Sequence, residues 1–172
     1  MFSLPLAQDN TLAIARDSAE NLKQVGATVI QTRAGDASPA GTQVGSSDLK
    51  ARVDIANASH ADLFVSIHND AATSKDVQGT TTYYSQDNPQ SVESLRLAQA
   101  IQSSMIETLG TVDHGVREAM FYVIHHTTMP AVLVEVAYIS NPTEEKLLAD
   151  PAFRQKAADG IYKGILAYYA SL

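Results

Sequence analysis

Glu135 lies inside the most apolar run of the chain, Pro130-Ala-Val-Leu-Val-Glu-Val-Ala-Tyr138. The run is short, β-rich and opened by a proline, the pattern of a strand covered on both faces. An ionised carboxylate in that setting costs several kcal/mol unless a cation or a proton compensates it. A second apolar run, Ala61-Asp-Leu-Phe-Val-Ser-Ile67, ends in His68. Taken singly, each residue has a plainer use. A buried glutamate pairs with an arginine or a backbone amide, and a histidine after a strand accepts or donates one hydrogen bond. Two buried strands that each deliver an ionisable group suggest a shared site at the edge of a sheet. A metal carrying a water is the group that best accounts for both.

The elements that must position these groups follow from periodicity. Asp9 and Asn10 are good N-caps, and Leu12, Ala15, Ala19 and Leu22 fall on one helical face that stops at Gly26. Ala27–Thr32 (Ala-Thr-Val-Ile-Gln-Thr) reads as a strand, and residues 34–47, rich in small and polar types, as a surface loop. Ser47 or Asp48 caps a helix running to about Ser59. Leu63–Ile67, Gly79–Ser85, Met120–Ile124 and Ala131–Val136 read as strands. Ser91–Leu109 is a long amphipathic helix with Val92, Leu95, Ala98, Ile101, Met105 and Leu109 turned inward. Asn141-Pro142 opens a short helix. The terminal helix from Pro151 buries Phe153, Ala157, Ile161, Ile165 and Tyr168, with Gly160 and Gly164 allowing close packing. Helices alternate with strands, so the expected fold is α/β: a single, mostly parallel sheet with helices on both faces.

Composition narrows the function. A chain of 172 residues that is 45% hydrophobic is one domain with enough apolar material for a core. The net charge of −7, with basic residues scattered, argues against nucleic acid as a partner. No apolar window is long enough for a membrane span. With no cysteine, disulfides, iron–sulfur clusters and cysteine zinc sites are excluded. Met1-Phe-Ser-Leu-Pro-Leu6 has no basic n-region and does not read as an export signal.

Several segments, taken in order, resemble the zinc-dependent N-acetylmuramoyl-L-alanine amidases of bacterial cell walls. Gly26-Ala-Thr-Val-Ile-Gln-Thr-Arg33 followed by Asp36 is similar to the family's G-x-x-V-x-x-T-R-x-x-D segment. Asp48-Leu-Lys-Ala-Arg52, Ala56-Asn57 and Ala61-Asp-Leu-Phe-Val-Ser-Ile-His68 match its next portion. So do Gly79 with Thr82-Tyr83-Tyr84, His114-Gly115-Val116 with Phe121-Tyr-Val-Ile124, and Met129-Pro-Ala-Val-Leu-Val-Glu135 with Ile139-Ser-Asn141-Pro142, Glu144 and Glu145.

The resemblance runs from about Leu12 to Tyr169. It implies a peptidoglycan amidase that hydrolyses the bond between N-acetylmuramic acid and L-alanine of the stem peptide. His68 would be a zinc ligand and Glu135 the catalytic carboxylate. It also implies action in the cell envelope, periplasmic or secreted.

The departures carry expectations of their own. The family domain opens with a strand and a Gly-rich turn bearing its first zinc-ligating histidine, and neither has a counterpart here. The glutamate that is its second ligand falls on Ala7. Residues 1–172 therefore read as an amidase catalytic domain, N-terminally incomplete relative to the family. Asp70, two residues after His68, and Asp9, on the first helix turn, are the candidate substitutes for the missing ligands, with His125 and His126 before the Glu135 strand as further ones. An unpaired strand beside the absent one would expose an edge able to self-associate. The alternative reading is a degenerate member that binds peptidoglycan without cleaving it.

Overall fold

The computed structural model describes residues 4–41 and 45–172. The elements are α1 (Leu4–Gln24), α2 (Ser46–Ala58), β1 (Phe64–Asp70), β2 (Thr80–Tyr84), α3 (Ser91–Leu109), β3 (Asp113–Glu118), α4 (Tyr122–His126), β4 (Ala131–Tyr138), α5 (Pro142–Ala149) and α6 (Pro151–Ala170).

The sheet is open and mixed, in the order β1-β4-β2-β3. β4 is central and runs parallel to β1; β2 is antiparallel to β4, and β3 runs parallel to β2. β4 is buried at every position, as its unbroken apolar run requires of a strand covered on both faces. On one face Val132, Val134 and Val136 join Leu97, Ile101 and Met105 of α3 and Ile161 and Ile165 of α6. On the other, Ala131 and Leu133 pack with Val53 of α2 and Val123 and Ile124 of α4. Helices thus cover both faces, and the expected α/β architecture holds.

Helices α3 and α6 pack closely, and glycine sets the approach. A Cβ at Gly164 would lie 2.5 Å from the Cα of Ile101, and one at Gly160 2.9 Å from the sulfur of Met105. Only a residue without a side chain permits that approach.

Several local expectations are corrected. Asp9 and Asn10 do not cap α1, which starts at Leu4. Asn10 is buried inside it and accepts from Arg154 at 3.3 Å. Gly45 takes the N-cap position of α2 with no side-chain hydrogen bond, and Asp48 instead binds Arg52 at 2.6 Å. On α3, Val92 is 65% exposed while Leu97 is fully buried, so the apolar face is rotated from the expected one.

Residues within Met120–Ile124 form α4 rather than a strand. A five-residue apolar run does not separate helix from strand by period. Here Asn88 closes the corner, its amide donating to the carbonyls of Ile124, Thr127 and Met129. Part of the expected 34–47 loop, residues 42–44, lies outside the described residues; Ser38 and Gly41 form an isolated bridge before it.

Ala27–Thr32 is not a strand either. Among the described residues the segment has no ladder partner, and the one backbone bond it makes outside regular elements is from the Ala27 N–H to the Leu22 carbonyl. Between it and β1 lies a cavity of about 760 Å³, bounded by α1 and α2 and lined by Leu12, Ala19, Leu22, Ile55, Val65 and Ile67 among others. The Phe64 N–H and the Asp70 carbonyl point toward β4. By the alternation of a parallel ladder, the backbone groups of Val65 and Ile67 point into the cavity. β-branched residues favour extended backbone, but a strand needs a neighbour within about 4.8 Å, and among the described residues the cavity holds none.

Candidate active site

The register of the sheet builds the site. His68 on β1 is the ladder partner of Glu135 on β4, and Glu135 is the partner of Thr81 on β2. Ladder partners project to the same face about 4.8 Å apart, so an imidazole, a carboxyl and a hydroxyl stand in one row across three strands. The row lies on the α2/α4 face, just beyond the apolar layer of Phe64, Leu133 and Tyr83. The same alternation that buries Leu133 under α4 therefore delivers Glu135 beside it.

Glu135 is 8% exposed, and its Oε2 has no hydrogen-bond partner among the described residues. Burial, with Asp70 adding like charge, pushes its carboxyl up to about 8. An unpaired buried oxygen is costly, so the group keeps a proton near neutral pH. His68 opens onto the cavity beyond β1 and is the exposed residue of a strand expected to be buried. Partial desolvation by the protein around it, then the positive charge of Arg52, holds its imidazole below the usual histidine range. A neutral imidazole with a free lone pair stands beside a protonated carboxyl.

Around the row the supports are intramolecular. Arg52 is held by Asp48 and by the Thr32 hydroxyl at 3.2 Å. Arg33 donates to the Gln8 carbonyl at 2.7 Å, the Thr11 hydroxyl at 3.1 Å and the Gly35 carbonyl at 3.1 Å. Beyond the C-terminal end of β4, Glu144 is buried and accepts from the Gly79 N–H at 2.8 Å and the Tyr138 N–H at 2.6 Å. It ties the start of β2 to the end of β4, so Thr81 and Glu135 hold their register. Gly79 sits at φ +123°, and a Cβ there would come within 2.5 Å of the Val112 carbonyl oxygen.

The expected site residues do not all meet. His68, Glu135 and Asp70 are brought to one end of the sheet, and the charge of Asp70 acts on both of the others. Asp9 is exposed on α1, where its charge is felt by Arg33. Among the described residues no group of three or more histidine, aspartate, glutamate or cysteine side chains could hold a metal ion. The residues present therefore do not by themselves fit a catalytic zinc, which takes about three protein ligands.

Sequence reasoning missed the aromatic and basic rim beside the row. Tyr83 meets Phe121 edge-to-face at 5.2 Å, and Arg117 is the ladder partner of Tyr83.

An open α/β sheet that sets a proton-holding carboxyl against a neutral imidazole has the parts of a hydrolase. Residues 5–167 match the family model described as N-acetylmuramoyl-L-alanine amidase, and the chain belongs to that family. It is 36% identical over 171 residues to the germination-specific N-acetylmuramoyl-L-alanine amidase of Bacillus subtilis, covering 95% of this chain and 71% of that one. It is 43% identical over 121 residues to the amidase LytC of the same organism, covering 70% of this chain but only 24% of LytC. Among solved structures, the CwlD amidase of Clostridioides difficile, determined in complex with the GerS lipoprotein, superposes with a TM-score of 0.89 at 30% identity, covering 96% of this chain and 87% of that one.

Proposed function

We propose that this chain is a peptidoglycan amidase that hydrolyses the amide between the lactyl group of N-acetylmuramic acid and L-alanine of the stem peptide. The observation that carries the reading is the pairing of His68 with Glu135 in register, with Glu135 Oε2 buried and unpartnered. Glu135 is the catalytic residue: its carboxylate takes a proton from the attacking water, and its acid form returns that proton to the leaving amine of L-alanine. A general acid–base group works best with a pKa near the working pH, and about 8 meets that condition. His68 orients the water or the carbonyl oxygen through its ring.

Zinc is part of this proposal through the family resemblance. His68 is the donor this chain offers it, and Asp70 is the nearest further carboxylate. When bound, the metal would supply Lewis acidity; completing its ligand set needs groups beyond those gathered here. The substrate places the site of action in the cell envelope. No helix of the described residues is long and apolar enough to cross a membrane.

The free edge of β1 and the cavity beside it form the second part of the proposal. Unpaired backbone along an edge is a template for another strand, so the chain self-associates through β1 unless a strand occupies the cavity.

The test of the activity is incubation of the purified chain, with and without added zinc, with purified peptidoglycan. New N-terminal L-alanine in the soluble fraction supports the amidase. Sedimentation of the polymer with the chain, without release of L-alanine, would replace it with a binding module.

A further inference from the structure

Three arginines send their charge into the site, and they are not equivalent. Arg33 and Arg52 act on His68 but spend their guanidinium groups on Gln8, Thr11, Gly35, Asp48 and Thr32. Arg117 makes one bond, from its Nε to the His114 carbonyl at 3.3 Å. Among the described residues neither of its terminal nitrogens has a hydrogen-bond or carboxylate partner. Arg117 is exposed, so that guanidinium edge is open to a ligand arriving from solvent.

Arg117 is also on the right face. It is the ladder partner of Tyr83, and Thr81, two residues before Tyr83, is the partner of Glu135. Side chains two residues apart on a strand share a face, so Arg117 projects on the side of Glu135. Its charge reaches the hydroxyls of both Tyr83 and Tyr138. Two inter-strand steps and two residues along the strand separate Arg117 from Glu135, roughly 12 Å between Cα atoms. An extended arginine side chain covers about half of that distance, which leaves a gap of about one or two extended residues.

We infer that Arg117 is the substrate-carboxylate receptor of this site: its free guanidinium edge binds a carboxylate on the stem peptide one or two residues beyond the amide that Glu135 acts on. The inference rests on the amidase reading and adds to it a preference for acidic over amidated peptides. A guanidinium presents two parallel N–H donors to a carboxylate and has no such match for a neutral amide. Tyr83 and Phe121 form the apolar wall along which the peptide lies, edge-to-face and half-open to solvent.

The experiment compares two probes, N-acetylmuramoyl-L-alanyl-glycine and the same compound amidated at its C-terminus. Binding is measured by titration calorimetry on the full chain and on Arg117→Gln and Arg117→Lys, alongside release of L-alanyl-glycine from the acid and L-alanyl-glycinamide from the amide. The native chain should prefer the acid by about tenfold or more, the usual worth of a charge-assisted pair. In Arg117→Gln the ratio should collapse toward one, through KM and Kd rather than kcat. Arg117→Lys, which keeps the charge but not the fork, should fall between. Thermal melts of the variants report whether the fold is kept. A native chain that treats the probes alike, or an acid preference that survives Arg117→Gln, overturns the inference while leaving the amidase reading standing. Neither binding nor turnover of either probe overturns both.

Discussion

Replacing Glu135 with glutamine should stabilise the fold at alkaline pH and leave it nearly unchanged at acid pH. Gln keeps the shape of the side chain and removes its charge. The folded-state pKa of Glu135 is raised from 4.5 to about 8. The group's stabilising contribution is therefore fully present below pH 4.5 and is lost as pH rises through 8. Each pKa unit is worth 1.36 kcal/mol, which sets an upper limit of about 5 kcal/mol across that window. Glu135 retains 8% exposure as a residue, and relaxation of the protein around the ionised carboxyl will lower the figure to roughly 2 kcal/mol. Urea unfolding followed by circular dichroism, in chelator, at pH 5 and pH 9 measures it. The advantage of Glu135→Gln over the native chain should grow by about 2 kcal/mol between the two, or roughly 4–8 °C in Tm for a domain of this size. His68, held below its usual range, contributes above pH 6.5 and loses that contribution as pH falls, but it is common to both chains. An equal difference at both pH values would refute the claim that Glu135 is buried without a compensating partner.

Other perturbations test the supports. Glu144→Ala leaves the N–H groups of Gly79 and Tyr138 without their acceptor and should cost about 2–4 kcal/mol, read by urea unfolding; Glu144→Gln should recover part of it. Gly164→Ala drives a methyl into the Ile101 backbone and should destabilise by about 1–3 kcal/mol, seen as a lowered Tm. Gly79→Ala combines a strained φ with a clash against Val112; a drop of about 1–3 kcal/mol is expected, and an unchanged melt would contradict the packing described. If β1 is a free edge, sedimentation velocity should show a concentration-dependent dimer, and a strand-forming peptide that enters the cavity should dissolve it.

The parts of the fold that could be read from the chain are those whose signal is long or extreme. α3 and α6 span 19 and 20 residues, so their periodicity survives local exceptions such as Val92. β4 is legible because nothing but a doubly covered strand explains eight buried positions in a row. Ala27–Thr32 misled because β-branched residues record a preference for extended backbone, while pairing depends on a neighbour that composition does not reveal. α4 misled because it is a single turn or so of apolar residues, fixed by the distant amide of Asn88. β3 carries four ionisable residues in Asp113-His-Gly-Val-Arg-Glu118 and has no apolar run to mark it as a strand until β2 is placed beside it.

The site divides in the same way. Glu135 and His68 stood out because charge was out of place in apolar runs. Arg117 had no such contrast with its surroundings, and only the register that makes it Tyr83's partner brings it to the site. Asp9 is a candidate only if it stands on the first turn of its helix, and α1, which starts at Leu4, leaves it exposed and away from the row.

The central claim is that Glu135 moves the proton in an amide hydrolysis. The most direct measurement is the rate at which new L-alanine N-termini appear from muramyl peptide with the native chain and with Glu135→Gln, at equal protein and metal content. Loss of a general acid–base group costs about a hundredfold to ten-thousandfold in rate, and the account predicts a loss in that range with the fold intact. A Glu135→Gln chain that keeps its rate within a few-fold of the native one would contradict it.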